Sequence, residues 1–164
     1  MTWHNRFFWL HALSVAMIFP ALVDLNHEDQ DWIAFVSSSL LTGFVSMFLI
    51  FANREKNIVL NLREAFILTP LSWIVLALFA SLPLYFAELN LSFMQAFFES
   101  LSAITTTGAT LITSLDSAPP GVLMWRSILQ YLGGIGIIAA ATAILPMLGI
   151  GGMRSYEKTR SENN

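Results

Sequence analysis

Cysteine is absent from the 164 residues, so no disulfide framework, thiolate nucleophile or zinc–thiolate site can be built. Charge is scarce: Asp, Glu, Lys and Arg make up 12% of the chain, about half of the roughly 25% usual in soluble domains. The three histidines, His4, His11 and His27, are scattered without the spacing of metal ligands. No nucleophile stands at a fixed interval from a base, and no glycine loop is placed to cradle phosphate. Enzyme chemistry is therefore not expected, and neither is a cofactor or a nucleic-acid partner.

What fills the chain instead is apolar: 55% hydrophobic residues and a mean hydropathy of +0.64. A soluble domain of this size cannot hide that much apolar surface, which makes lipid the expected solvent. The net charge of −3 says little, because in a membrane protein the placement of charge outweighs its sum. A bilayer core about 30 Å thick needs about 20 apolar residues in helix. Four stretches meet that requirement: 7–25, 32–52, 65–87 and 121–148. The last is long enough to tilt or to run beyond the membrane. The amino-terminal apolar run is too long for a cleaved signal peptide and lacks a small-residue cleavage site, so it reads as a retained helix.

Orientation follows from lysine and arginine. With four spans and both termini cytoplasmic, Arg6, Arg54, Lys56, Arg63, Arg154, Lys158 and Arg160 share one side, leaving Arg126 near the other; this is the positive-inside pattern. The opposite segments carry Asp24, Glu28, Asp29 and Asp31, then Glu88, Glu99 and Asp116. An acidic outer vestibule would concentrate cations at its mouth, while ordinary solvated loops explain the first group equally well. The expected organisation is a leading two-span hairpin over 1–60, a span–loop–span unit over 61–153, and a polar cytoplasmic tail over 154–164.

The segment between the third and fourth spans carries the chemistry. Phe93–Ile104 is apolar and helix-compatible, yet at about 18 Å it is too short to cross a bilayer, which suits a re-entrant half-helix. Thr105-Thr106-Thr107-Gly108-Ala109-Thr110 follows. A cation such as potassium entering a membrane must exchange its water shell for oxygens. An extended strand supplies them when its carbonyls face one axis; threonine adds hydroxyls, and glycine permits dihedrals that other residues resist. The preceding helix would aim its negative end at the ion. Thr-Thr-Gly alone is a common pattern, and its weight comes from the order of elements: span, half-helix, threonine loop, Pro119-Pro120-Gly121, long span.

Phe97-Phe-Glu-Ser-Leu-Ser-Ala-Ile-Thr-Thr-Thr-Gly-Ala-Thr110 closely resembles the first pore loop of TrkH/KtrB-type potassium uptake proteins. So do Trp125-Arg-Ser-Ile-Leu-Gln-Tyr-Leu-Gly-Gly-Ile-Gly-Ile-Ile138 and Ala143-Ile-Leu-Pro-Met-Leu-Gly-Ile-Gly-Gly-Met153. The resemblance extends back through the 53–56 loop and the leading spans. It implies an all-α integral membrane fold of four transmembrane helices, one re-entrant pore helix and a filter loop. It further implies potassium transport across a bacterial inner membrane through a pore of four such repeats. By it, Thr105, Thr106, Thr107 and Gly108 match the potassium-binding filter, with Thr106 and Thr107 favoured for carbonyl ligation and Ala109 and Thr110 forming the outer end. This sequence contains one such loop, so the pore is expected to be completed by further repeats from other chains or by a homo-oligomer. A cytoplasmic nucleotide-binding regulatory subunit is a further partner that the resemblance implies. The alternative is a non-conducting product of a truncated or split gene, accessory to a full-length transporter.

Glu99 is read as pore-loop support, since a carboxylate inside a membrane-embedded helix is costly without a partner. Arg126 either pairs with Glu99 or Asp116 or snorkels to the interface. Gly133, Gly134 and Gly136 are expected to allow close helix packing, and Pro146 to shape or end the fourth span. His11 is expected to be a buried or interfacial hydrogen-bonding residue. The tryptophans, Trp125 among them, are expected largely in an aromatic belt.

Overall fold

In the computed structural model the backbone is described for residues 4–52, 62–113, 115 and 118–162, and side chains for 9–52, 64, 67–113, 115 and 118–142. The elements are α1 (His4–Ala16), α2 (Ile18–Asn26), α3 (Trp32–Ala52), α4 (Leu62–Phe86), α5 (Phe93–Ile104) and α6 (Pro120–Glu162). The described residues contain helices and no strands, and four apolar stretches are long enough to cross a membrane: Trp9–Asn26, Trp32–Ala52, Ile67–Phe86 and Pro120–Thr142. The basic loop 53–56 and Asp116 lie outside the described residues, as do the side chains of Arg6, Arg63, Arg154, Lys158 and Arg160.

The first span is not one unbroken helix. It divides at Met17, although Met17 N–H still donates to Leu13 O at 3.1 Å and Met17 O accepts from Ala21 at 3.4 Å. Pro20 accounts for the interruption: it has no N–H to offer the carbonyl four residues back, and its ring crowds that turn. The fourth span departs from expectation in the other direction. Pro146 does not end it, and α6 runs 43 residues, about 65 Å at 1.5 Å per residue. The tail 154–162 thus continues the helix, which extends well past one bilayer thickness.

α3 packs along α1, α2 and α4, while α5 lies between α4 and α6. Leu13, Met17, Phe35, Leu84, Val122 and Leu129 form a shared core around Trp125. Trp125 is fully buried, not in an interfacial belt; its indole N–H donates to Ala80 O at 3.0 Å and its ring meets Phe35 edge-on at 6.3 Å. Indole burial is tolerated because the N–H has found a partner. His11 is exposed rather than buried.

The outer surface is the inverse of a soluble protein's. Leu40 is 71% exposed and Phe44 73%, with Phe48, Ile67 and Ile138 also outward, whereas Ser38, Ser39, Thr42 and Ser46 of α3 are buried. Ser14 and Ser39 exchange hydrogen bonds, each hydroxyl donating to the other's carbonyl at 2.8 Å. Apolar faces outward and hydroxyls between helices are the arrangement that lipid imposes.

Candidate functional site

α5 begins with a capping box. The Ser92 hydroxyl accepts from Gln95 N–H at 3.3 Å, and the Gln95 side chain accepts from Ser92 N–H at 2.8 Å. Two of the helix's orphan donors are thereby satisfied. Its other end is closed without glycine. Thr106 N–H donates to Ala103 O at 3.0 Å and Thr107 N–H to Ser102 O at 2.9 Å, which is the Schellman pattern. The left-handed residue at its centre is Thr106, with φ of 58°. A β-branched side chain is a genuine outlier there. Gly108 follows with φ of 77°, where glycine carries no such penalty.

This closure directs the polar groups of the loop. The N–H groups of Thr106, Thr107 and Gly108 all turn back to the carbonyls of Ala103 and Ser102. Those of Leu111 and Ile112 turn back to Glu99 Oε1. Among the described residues no donor reaches the carbonyls of Thr105, Thr106, Thr107 or Gly108. Ala109 differs: its carbonyl accepts from the Ser102 hydroxyl at 2.7 Å, so it is engaged from behind. Residues Thr105 to Thr110 are all exposed, and Thr105 and Thr107 share a hydroxyl–hydroxyl contact of 2.9 Å. The segment thus has a braced back and an open, oxygen-rich front.

Glu99 is the centre of the brace. It is 0% exposed; its Oε1 also accepts from the Thr110 hydroxyl at 2.8 Å. Its Oε2 lies 3.3 Å from Arg126 Nε. That ion pair is close, but its N–H is not aimed for a hydrogen bond, and neither atom has another partner among the described residues. Arg126 is therefore a buried counter-charge rather than a snorkelling side chain.

The glycines of α6 separate by role. A Cβ on Gly133 would overlap the Ile104 carbonyl oxygen and sit 2.8 Å from its carbon, so only glycine lets α6 lie against the end of α5. Gly136 faces Trp73 at 3.1 Å, and Gly134 has nothing within 4 Å. Close packing accounts for the first two and not for the third.

Three contributors were not singled out in the sequence. Ser102 holds the loop through its carbonyl and hydroxyl together. Asp24, grouped there with the outer loop, is 0% exposed and accepts from Gly121 N–H at 2.6 Å. It caps α6 from a different helix, and a Cβ on Gly121 would overlap its carboxylate. The available signal was a helix opening Pro119-Pro120-Gly121 with no capping side chain of its own. Asp31 is likewise buried, accepting from Glu88 N–H at 2.9 Å.

Comparison with known proteins agrees over nearly the whole chain. The family described as TrkH, cation transport protein, matches residues 33–164. The Trk system potassium uptake protein TrkH of Vibrio parahaemolyticus is 45% identical over 148 residues, covering 90% of this chain and 30% of that protein. TrkH of Escherichia coli K12 is 44% identical over 144 residues, with coverage of 87% and 30%. TrkG of the same strain is 37% identical over 150 residues, with coverage of 91% and 30%. The crystal structure of the potassium transporter TrkH from Vibrio parahaemolyticus superposes with a TM-score of 0.79 at 42% identity, covering 94% of this chain and 34% of the other. The chain thus spans about a third of the length of the relatives it matches. Family, all-helical architecture and apolar spans agree: this chain is a multi-pass membrane protein and belongs to the TrkH family of cation transport proteins.

Proposed function

We propose that this chain supplies one wall of a potassium-conducting pore, with Thr105, Thr106, Thr107 and Gly108 contributing the oxygens that replace the ion's water. The observation that carries the proposal is the division of the loop. The N–H groups of Thr106, Thr107, Gly108, Leu111 and Ile112 are turned back onto Ser102, Ala103 and Glu99, and among the described residues the four carbonyls of the exposed residues Thr105 to Gly108 meet no donor. Carbonyl rings of this kind are how cation filters dehydrate potassium. Ala109 and Thr110 form the outer end; the Ala109 carbonyl is already engaged by the Ser102 hydroxyl, which supports ending the ion-facing oxygens at Gly108.

α5 serves as a re-entrant pore helix, and Glu99 and Arg126 hold the loop to it and to α6. The leading hairpin over 1–60 scaffolds the span–loop–span unit over 61–153. The residues after 153 extend α6 into the cytoplasm, and both termini lie on that side of a bacterial inner membrane, as the lysines and arginines suggest. The pore is completed by further repeats of this kind, and a cytoplasmic nucleotide-binding subunit regulates it. No cofactor and no enzymatic step are involved. The relatives are named for potassium uptake, which favours this reading over a non-conducting accessory protein.

The test is potassium flux into liposomes, with assembly mass measured in parallel, for the chain alone and co-reconstituted with polypeptides carrying further pore repeats. Flux that disappears in Gly108→Asp, without loss of folding or assembly, supports the proposal. A stable, folded chain that gives no flux in either setting overturns it.

A further inference from the structure

Packing does little to hold the loop at Gly108. A Cβ built there would meet nothing within 4 Å, and glycine moves between positive and negative φ at little cost. One residue grips the chain on both sides of this point. Ser102, 5% exposed near the end of α5, accepts through its carbonyl from Thr107 N–H at 2.9 Å and Gly108 N–H at 3.3 Å. Its hydroxyl donates to Ala109 O at 2.7 Å. The two grips differ in kind. The first uses backbone and is available from any residue at 102, whereas the second needs a side-chain hydroxyl. Among the described residues it is the only hydrogen bond that Ala109 makes. The next anchor along the chain is the Thr110 hydroxyl on Glu99 Oε1.

We propose that the Ser102 hydroxyl is a positioning group that determines ion specificity: by holding the Ala109 carbonyl it limits the loop oxygens offered to the cation to those of Thr105–Gly108, and so maintains discrimination of potassium from sodium. This rests on the role proposed above for the loop in a potassium pore. Ser102 touches no ion; it acts through Ala109. Whether a filter discriminates by the size of its carbonyl ring or by the number of its carbonyl dipoles, the set of oxygens offered must be fixed. With the hydroxyl gone, the Ala109 carbonyl has no partner among the described residues, and Gly108 beside it permits the peptide to rotate. A carbonyl left without a donor takes whatever partner it can reach, cation or water. Coulomb attraction rises as distance falls, so the smaller sodium ion gains most from an oxygen that is free to move towards it. The loss of one hydroxyl therefore admits sodium while the helix-closing bonds to the Ser102 carbonyl stay in place.

The experiment is the sodium-to-potassium permeability ratio in liposomes, for the full chain co-reconstituted with polypeptides carrying further pore repeats, with Tm measured in parallel. Ser102→Ala should raise the ratio about three- to tenfold, the range a single hydrogen bond commands. Ser102→Thr, which keeps the hydroxyl, should return it towards the wild-type value. Ser92→Ala removes the cap at the far end of α5 and serves as the comparison: it should lower Tm without moving the ratio. Wild-type flux with an unchanged ratio in Ser102→Ala overturns the role of Ser102 and leaves the pore standing. An equal shift in Ser92→Ala, or a folded Ser102→Thr that shifts as far as alanine, overturns that role too, since selectivity would then follow general loosening. Absence of wild-type flux overturns the pore itself and this proposal with it. Should Ser102→Ala fail to fold, Ser102→Cys decides: its thiol is a weak donor of similar size, so a raised ratio supports the proposal and a wild-type ratio overturns it.

Discussion

Replacing Gly133 by alanine adds one methyl group to α6, and the space it enters is already occupied. The new Cβ would lie 2.8 Å from the Ile104 carbonyl carbon and 3.2 Å from its Cα, and would overlap the carbonyl oxygen. Carbon atoms pack best at about 3.5–4.0 Å, so α6 and the end of α5 would have to separate by about 1 Å. Nothing flexible stands there to yield, because the opposing atoms are backbone. Overpacking of this kind costs about 1–3 kcal/mol, and the upper end applies. Alanine gains about 1 kcal/mol of helix propensity over glycine, which leaves a net loss of about 1–2 kcal/mol. Gly134, one residue on, is the internal control: with nothing within 4 Å, Gly134→Ala should be neutral or gain up to about 1 kcal/mol. Equilibrium unfolding in detergent, followed by circular dichroism, would read both. Opposite signs at neighbouring glycines are the expectation. A Gly133→Ala chain as stable as Gly134→Ala would refute the close approach of α6 to α5, and with it the account of how the loop is positioned.

Glu99→Ala strands Arg126 and the Leu111 N–H, leaving Ile112 N–H only the Thr110 hydroxyl, and should cost about 3–5 kcal/mol in the same unfolding assay. Glu99→Gln keeps an acceptor for both amides and should cost less. Thr106→Gly removes a left-handed β-branched residue (φ 58°) whose strain is about 1–2 kcal/mol; after glycine's extra unfolded-state entropy of about 0.5–1 kcal/mol, stability should hold or rise slightly. A loss above about 1 kcal/mol would show that the Thr106 side chain holds the loop by contacts of its own. Asp24→Ala removes the cap on α6 at Gly121 and should lower stability by about 1–2 kcal/mol, whereas Asp24→Asn should lose less. Asp31 binds a proton more readily in the folded chain than in the unfolded one, because burial raises its pKa. Its contribution is therefore complete below the ordinary carboxylate pKa and is lost as pH rises through the elevated folded value. Stability should fall with rising pH across that window, and Asp31→Asn should flatten the slope.

Much of this architecture is written locally. Apolar runs near 20 residues and a 12-residue apolar stretch bounded by Ser92 and a threonine run specify spans and a short helix wherever they occur. Hydropathy and capping are properties of neighbouring residues along the chain, and α3 and α5 begin and end where the sequence places them. That Glu99 needs a partner was legible for a related reason: a carboxylate on an apolar helix is costly without one. That Arg126 is the partner, 27 positions away, is a matter of packing between α5 and α6.

What only the tertiary structure decided is which groups meet across helices. Asp24, on α2, reads in sequence as one of several acidic loop residues and becomes the cap of α6 because the two helices pack together. Gly133 and Gly134 are chemically identical neighbours, yet a helix turns about 100° between them, so one faces Ile104 and the other open space. Trp125 reads as an interfacial aromatic and is the centre of the core. Which loop carbonyls go without a donor was likewise invisible, since it depends on where the N–H groups of Thr106, Thr107, Gly108, Leu111 and Ile112 find their acceptors. Residue type and spacing determined the spans, the short helix and the threonine loop; long-range pairing of buried polar groups determined which face of that loop is braced and which is left open, because lipid offers no water to satisfy them otherwise.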